Sequence, residues 1–427
     1  MQPALLPILA FVALLAGPEV HDPAAASSRR REGLAKAIGT SYALLLGQPM
    51  TDVLQPRQEG HFLYLTGVTD PDSYLLLAGA RATPLDGARE ILFLREATPR
   101  VVQFYGLRHR PGPRSAAELQ IETVRACPPG GEALAGVVAG LLPKQATLFL
   151  PGYRGADQIL VRATRRVLLE ALHAARPDLK IADLRPLLVR MRAVKSPEEL
   201  ALLTRAIRIT EEAFREALPR IRVGSSEEAV DGALLGAVRR RDGRPAYPFV
   251  VAGGVHSTVP HYFRNQGPLR AGALLLIDAG ASFHRYAADI SRTIPVSGTF
   301  TPRQREVYRA VLEAQAAAIA AVKPGATFKQ VDAAARRSLA QKKLATYFIH
   351  GIGHPVGLDV HDPGPRTLLE GMTITVEPGV YLAEEGFGIR IEDIVLVTAR
   401  GCRVLTTGLP KDPDSIERLV REAEAPR

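Results

Sequence analysis

The 427-residue sequence predicts an α/β amino-terminal domain followed by an α+β domain with an internal pseudo-twofold repeat. Three observations predict this. Short apolar runs alternate with helix-period segments up to about Ile181, the pattern of strands joined through helices. A capped long helix then starts at KSPEE, residues 195–199. Beyond it, two stretches echo each other at a constant spacing of 101 residues, Gly224 falling on Gly325.

Taken in order, RRREGLAKAI from Ser28 reads as a helix, and YALLLG (42–47) and HFLYLTG (61–67) as buried strands. Apolar runs at 74–77 and 91–94 between Gly, Pro and Asp turn signals read as two more. Helical periodicity returns at 132–142 and 159–174, with a strand at 146–150 between them. In KSPEE, Ser196 is a hydroxyl N-cap, Pro197 occupies the first helical position and Glu199 completes a capping box. A helix is expected from here to about Leu218, with the domain boundary near Arg190. The expected divisions are therefore 1–27, 28–190 and 191–427. Within the last, RVGSSEEAVDGAL (222–234) lies over KPGATFKQVDAAA (323–335), and Val230, Asp231 and Ala233 match Val331, Asp332 and Ala334. Two helix–helix–sheet halves related by a pseudo-twofold would place a site between them, lined by strands from both.

At ~150 residues per domain the length fits two to three domains. With 46% hydrophobic and 23% charged residues, wholesale disorder, collagen and coiled coil are excluded. The net charge of +10 raises nucleic acid or an acidic membrane surface as a partner. The only tight basic runs are 29–31 and 239–241, neither interleaved with aromatics, so a solvated basic surface is expected and no nucleic acid. Cys127 and Cys402 are too few for a disulfide framework. The apolar stretch LLPILAFVALLA at 5–16 is too short to span a bilayer and has the length of a signal-peptide core. Small residues at Ala24, Ala25 and Ala26 would admit cleavage. Export to the periplasm or medium is expected, leaving no membrane span after processing; the alternative is a cytoplasmic protein with an N-terminal extension.

Four acids stand on apolar strands. Asp278 ends ALLLIDAG, Asp289 sits in YAADISRT, Glu377 follows TITV, and Glu392 lies within GIRIEDIVLV. Burying unpaired carboxylates is costly unless a partner, proton or metal neutralises them. A pair of divalent cations solves the problem, because carboxylates with one imidazole suit Mn²⁺, Co²⁺, Fe²⁺ or Zn²⁺ and can bridge two ions. His350, His354 and His361 lie ahead in the glycine-rich HGIGHPVGLDVHD. Metal-assisted hydrolysis is the chemistry that follows.

At these residues the chain resembles the pita-bread metallopeptidases, the family of methionine aminopeptidase, aminopeptidase P and prolidase. The ordered set IDAG, DISRT, HGIGH, GLDVHD, VEPG and RIED carries the resemblance over nearly all of 190–407. FLYLTGVTDPDSYLLL and KSPEE are similar to the N-terminal domain of aminopeptidase P and prolidase, which methionine aminopeptidases lack. The resemblance implies two divalent ions, Mn²⁺ foremost, held by Asp278, Asp289, His354, Glu377 and Glu392. It implies His261 and His361 as catalytic and substrate-contacting histidines, and Glu377 as proton shuttle. His350, Tyr381 and Arg390 would line the substrate site. The implied activity is that of an Xaa-Pro aminopeptidase, in which metal-bound hydroxide attacks the carbonyl before proline. X-Pro bonds lack the N–H that other proteases read, so a dedicated enzyme is expected, acting on peptides with an Xaa-Pro N-terminus, as a homodimer or homotetramer. An Xaa-Pro dipeptidase would share every ligand, and a non-catalytic peptide-binding protein of the same fold is the remaining alternative. The intact ligand set argues against that and against a metal-free hydrolase of the creatinase type. Where relatives carry a glycine-rich continuation this chain has Pro363, Gly364 and Pro365, which bears on substrate size.

Overall fold

The computed structural model describes residues 22–48, 58–106, 109–152 and 159–424; the apolar stretch at 5–16 lies outside them. The chain divides into two compact units at Leu188/Val189.

The first unit runs α1 (Pro23–Ile38), β1 (Tyr42–Leu46), α2 (Gly60–Thr66), β2 (Tyr74–Ala78), β3 (Glu90–Leu94), α3 (Pro99–Tyr105), α4 (Pro113–Leu119), β4 (Thr123–Ala126), α5 (Gly130–Leu141), β5 (Thr147–Leu150), α6 (Ile159–Ala175) and β6 (Lys180–Asp183). Its strands form one mixed sheet, ordered β4-β3-β2-β1-β5-β6. All five residues of the central β1 are buried, whereas β6 at the edge has none buried, as expected for a sheet covered on both faces at its centre.

Three expectations differ from the structure. The segment HFLYLTG is the helix α2, not a strand: Glu59 caps it by accepting from Phe62 N at 2.7 Å, and Gly67 ends it at φ +69°. Phe62 through Thr66 are all buried, so no helical face shows in the sequence, and an apolar run this short does not reveal its period. The first helix starts at Pro23 rather than Ser28, because Asp22 accepts from Ala24 N and Ala25 N, and Ala26 and Ser27 are buried. Nor is the 29–31 basic run wholly solvated. Arg31 is completely buried, pairing with Glu90 at 2.8 Å and donating to the carbonyls of Leu65 and Gln120. Both cysteines are free thiols.

The chain crosses into the second unit within α7 (Arg185–Ala193). There the two halves are explicit. The first is α8 (Pro197–Ala217), α9 (Glu227–Arg239), β7 (Arg244–Pro245), β8 (Val250–Gly253), β9 (Leu274–Ala279), β10 (Ala281–Phe283), β11 (Tyr286–Ala287) and β12 (Ile290–Pro295). The second is α10 (Pro302–Ala321), α11 (Phe328–Gln341), β13 (Thr373–Val376), β14 (Gly379–Leu382), β15 (Phe387–Arg390), β16 (Asp393–Thr398) and β17 (Gly401–Val404), closed by α12 (Pro413–Glu424). The capping box at Ser196 forms as its sequence predicts. Gly224 and Gly325 both sit at φ +84°, and both amides donate to a leucine carbonyl, Leu269 and Leu368. Ser226 and Thr327 then cap α9 and α11. Each half contributes a three-stranded antiparallel sheet, β12-β9-β8 and β13-β16-β17.

A buried arginine ties the halves together. Arg292 on β12, 1% exposed, pairs with Asp393 at 2.8 Å and donates to the carbonyl of Glu392 at 2.6 Å. Removing one partner of a buried pair costs ~3–5 kcal/mol, and Lys411 still reaches Asp393 at 2.6 Å. Arg292→Met is therefore expected to destabilise by about 3 kcal/mol, the lower end of that range, measured as a lowered urea midpoint at unchanged slope.

Candidate active site

The four acids come from matched places in the halves. Asp278 lies on β9, opposite Ser291 of β12 and Val250 of β8. Asp289 precedes β12, in the break after β11, and Glu377 directly follows β13. Glu392 is not within a strand; with Ile391 it forms the step between β15 and β16. At both breaks the chain leaves one sheet and joins another, so each carboxylate is turned out of the ladder. Val376 pairs with Asp393, which sets Glu377 and Glu392 side by side. Gly280 permits the close approach of the chain after Asp278 to the stretch ahead of Asp289, since a Cβ there would lie 1.9 Å from the carbonyl of Ala288.

Among the described residues, ligand atoms of Asp289, His354 and Glu392 all lie within 4.8 Å of one another. His354 Nδ1 faces the carbonyl of Pro355 at 3.0 Å, leaving Nε2 toward Asp289 at 3.5 Å and Glu377 at 3.6 Å. Thr375 supports this arrangement by donating to Glu377 Oε1 at 3.2 Å and accepting from His354 N at 3.0 Å. The backbones can approach this closely because residue 353 is glycine: a Cβ would lie 2.1 Å from the carbonyl of Thr375.

Tyr247, which sequence reasoning missed, bridges the first pair: its hydroxyl lies 2.6 Å from Asp278 Oδ1 and also contacts Asp289 Oδ1. Only its place beside two acids distinguishes it; in RPAYPFV it is an ordinary aromatic. Ser291 was missed as well. It donates to Glu392 Oε2 at 2.9 Å and accepts from Arg390 Nε at 2.8 Å.

Electrostatics explain what the cluster lacks. Burial pushes Asp278 up to about 6 despite Arg390 at 2.5 Å. Burial likewise pushes Glu377 up to about 7, against the pull of His354. Burial, reinforced by Asp289, Glu377 and Asp278, holds Glu392 well above the ordinary carboxyl range. Burial opposes charge on His354, but the Asp289 and Glu377 carboxylates prevail and raise it to about 9. Asp289 is held low by His354 against its own burial. Four acids thus face one guanidinium and one imidazole. Moreover, the single proton of Tyr247 cannot serve two carboxylate oxygens, which only accept. Divalent cations fit this donor set, and Asp289, His354 and Glu392 are the residues grouped to hold one.

The remaining predicted residues surround this cluster. Tyr381 accepts from Arg390 Nη1 at 2.9 Å and lies 2.8 Å from His350 Nε2, while His350 Nδ1 meets the carbonyl of Gly351 at 2.9 Å. With both nitrogens engaged and burial lowering its pKa to about 4, His350 is a neutral ring. His361 stands edge-on to His354 with ring centroids 4.2 Å apart, its pKa lowered by burial and by His354. His261 is exposed, stacked on Phe263 at 5.7 Å, and acts electrostatically on both His350 and His361. Nine of the ten predicted residues are linked by these contacts, and exposed His261 is tied to them only electrostatically.

Comparison with known proteins gives the family. The Xaa-Pro aminopeptidase of Haemophilus influenzae is 34% identical over 398 residues, covering 85% of this chain and 88% of its own. Metallopeptidase family M24 matches residues 201–399. The chain belongs to the M24 metallopeptidases. The aminopeptidase P N-terminal domain matches residues 27–128 of this M24 member. Among solved structures, Escherichia coli aminopeptidase P with the inhibitor Pro-Leu is similar at TM-score 0.81 and 30% identity, covering 94% of this chain and 98% of its own. The Pseudomonas aeruginosa aminopeptidase PepP is similar at 0.82 and 30%, covering 94% and 99%. The predicted two-domain pita-bread architecture is thus borne out for this M24 chain.

Proposed function

We propose that this M24 metallopeptidase is an Xaa-Pro aminopeptidase, releasing the first residue from peptides with proline second. The observation that carries the reading is the convergence of Asp278, Asp289, His354, Glu377 and Glu392, four acids short of positive partners, with three histidines around them. We assign all five as ligands of two divalent ions, Mn²⁺ foremost and Co²⁺, Zn²⁺ or Fe²⁺ as alternatives. When bound, such ions supply Lewis acidity and a nucleophilic water at neutral pH.

The side chains do the rest. Glu377, its Oε1 fixed by Thr375, takes the proton of the attacking water and passes it to the proline nitrogen, which must be protonated to leave. His361 and His261 donate to the oxyanion as the carbonyl becomes tetrahedral, a contribution of ~3 kcal/mol if each resembles other such donors. His350, neutral and with both nitrogens engaged, packs against the proline ring. Tyr381 and Arg390 hold His350 and Asp278 in place.

Mass spectrometry of products from Xaa-Pro-Pro-containing peptides and an Xaa-Pro dipeptide, with Mn²⁺-loaded protein, tests this. Release of the first residue from the longer peptides is expected. Cleavage of the dipeptide alone would make the protein a prolidase, and no cleavage with Mn²⁺, Co²⁺ or Zn²⁺ would reject the enzyme reading.

We also propose export through the 5–16 apolar stretch and assembly as a homodimer or homotetramer. None of the helices in the described residues is long and apolar enough to cross a membrane. Because Asp22 caps α1 and Ala26 is buried, cleavage ahead of Asp22, rather than among Ala24–Ala26, would keep that helix intact. The N-terminal peptide mass of protein recovered outside the cytoplasm, and light scattering of the intact protein, test the two proposals.

A further inference from the structure

The segment MRAVKSPEE marks the start of the second unit, and its two cations are buried against the loop that carries His361. Arg192 and Lys195 have side chains only 2% and 1% exposed. Arg192 Nη2 reaches Asp359 Oδ2 at 2.7 Å and also Asp362 Oδ1. Lys195 Nζ reaches Asp362 Oδ2 at 3.1 Å and the carbonyls of Arg192 and Ala193 at 2.5 and 3.3 Å. Asp359 and Asp362 bracket His361 in the sequence, within a loop that contains neither helix nor strand.

This loop closes around the lysine. A Cβ at Gly357 would lie 2.6 Å from both Lys195 Cε and Asp362 Oδ2. The backbone is tied too, since Lys195 N donates to the carbonyl of Gly371 at 2.9 Å, at the turn that leads through β13 to Glu377. Buried ion pairs of this kind add little net stability over apolar packing, so their retention calls for another reason. Here it is geometry: a donor to a developing oxyanion must be held to within a few tenths of an ångström, and an irregular loop cannot do that alone.

We propose that Arg192 and Lys195 are positioning residues that act through His361, fixing its imidazole by clamping the carboxylates on either side of it. The proposal rests on the aminopeptidase reading of the site. It assigns to MRAVKSPEE a catalytic support role besides that of a helix start.

A double-mutant cycle on the full-length, Mn²⁺-loaded protein tests it. Lys195→Met is expected to lower kcat on an Xaa-Pro peptide about 10- to 100-fold, the range for partners that orient a site from behind, with KM nearly unchanged. Lys195→Arg is expected to restore most of the loss. In a His361→Ala background, Lys195→Met should cost nothing further, because its route of action is gone. An equal loss in both backgrounds, or no loss in either, would overturn the proposal. If Lys195→Met does not give a cooperative melt, Asp359→Asn, whose carboxylate is 24% exposed, carries the same cycle. Should the wild type cleave no Xaa-Pro peptide with Mn²⁺, Co²⁺ or Zn²⁺, the functional reading falls, and the imidazole NMR signals of the zinc-loaded protein decide the clamp independently. Displacement of the His361 signals in Lys195→Met with those of His350 in place supports it, and unmoved His361 signals overturn it.

Discussion

Removal of divalent cations is expected to abolish release of the first residue from Xaa-Pro peptides and to leave a protein that grows more stable as the pH falls from about 9 toward 4.5. This is the reverse of ordinary acid denaturation. Burial raises Asp278 to about 6 and Glu377 to about 7, so in that range the folded chain binds more protons than the unfolded one, and lowering the pH favours the fold. His354 is raised by its carboxylate neighbours to about 9. Its contribution is complete below its ordinary 6.5 and is lost as the pH rises through 9. Both terms therefore act in the same direction. Asp289, held low by His354, keeps its contribution throughout this window; His350 and His361, lowered by burial, oppose the trend only below their ordinary 6.5, where Asp278, Glu377 and Glu392 outnumber them. Bound cations invert the dependence, since they require deprotonated carboxylates and neutral imidazole. The thermal gain on adding Mn²⁺ should thus increase from pH 5 to pH 8. At a hundredfold excess over Kd the gain is ~2.7 kcal/mol, or roughly 5–10 °C for a unit of this size. Thermal melts across pH, with chelator and with Mn²⁺, measure it. A chelated protein that becomes more stable as the pH rises would contradict the charge arrangement described here.

Glu392→Gln is expected to lower activity by more than ~100-fold, beyond the roughly 10- to 100-fold cost of losing an outer partner, and yet to stabilise the chelated protein. Glu392 is 1% exposed, and burial together with Asp289, Glu377 and Asp278 opposes its charge. The amide has the same shape, and Ser291, now 2.9 Å from Oε2, can still donate to its oxygen. Without metal, the substitution removes only an unfavourable charge. With metal, it removes a ligand from the Asp289, His354 and Glu392 group, so affinity for Mn²⁺ and the thermal gain it confers should both collapse. Calorimetric titration and paired melts distinguish these effects. A variant that keeps wild-type metal affinity, or a chelated form that melts lower than wild type, would show that Glu392 serves packing rather than metal.

Much of this site was legible because each ligand is an anomaly on its own strand. An acid flanked by LLI or TV is visible one residue at a time, and the spacing of the motifs supplied their order. Glu392 and Asp289 were nevertheless misplaced by a residue or two, within strands rather than between them. The breaks exist because the chain changes sheets there, and a change of sheet has no local signature. The HFLYLTG error has a related cause. Periodicity reports which face is wet, and α2 has no wet face over Phe62–Thr66.

The sequence by itself determined the local devices. The capping box at Ser196, the paired turns at Gly224 and Gly325, and the close approach at Gly353 each need a residue type that is recognisable where it stands. Partners far apart in the chain were decided only by the tertiary structure. Tyr247 meets Asp289 across 42 residues, and Lys195 meets Asp362 across 167. Nothing in the neighbourhood of Tyr247 or Lys195 differs from that of a surface tyrosine or lysine. What sets them apart is the carboxylate beside each: Tyr247 meets Asp289 as the strands of the first half pack, and Lys195 meets Asp362 as the chain ahead of α8 packs on the second half, both excluding water that would otherwise solvate the charges.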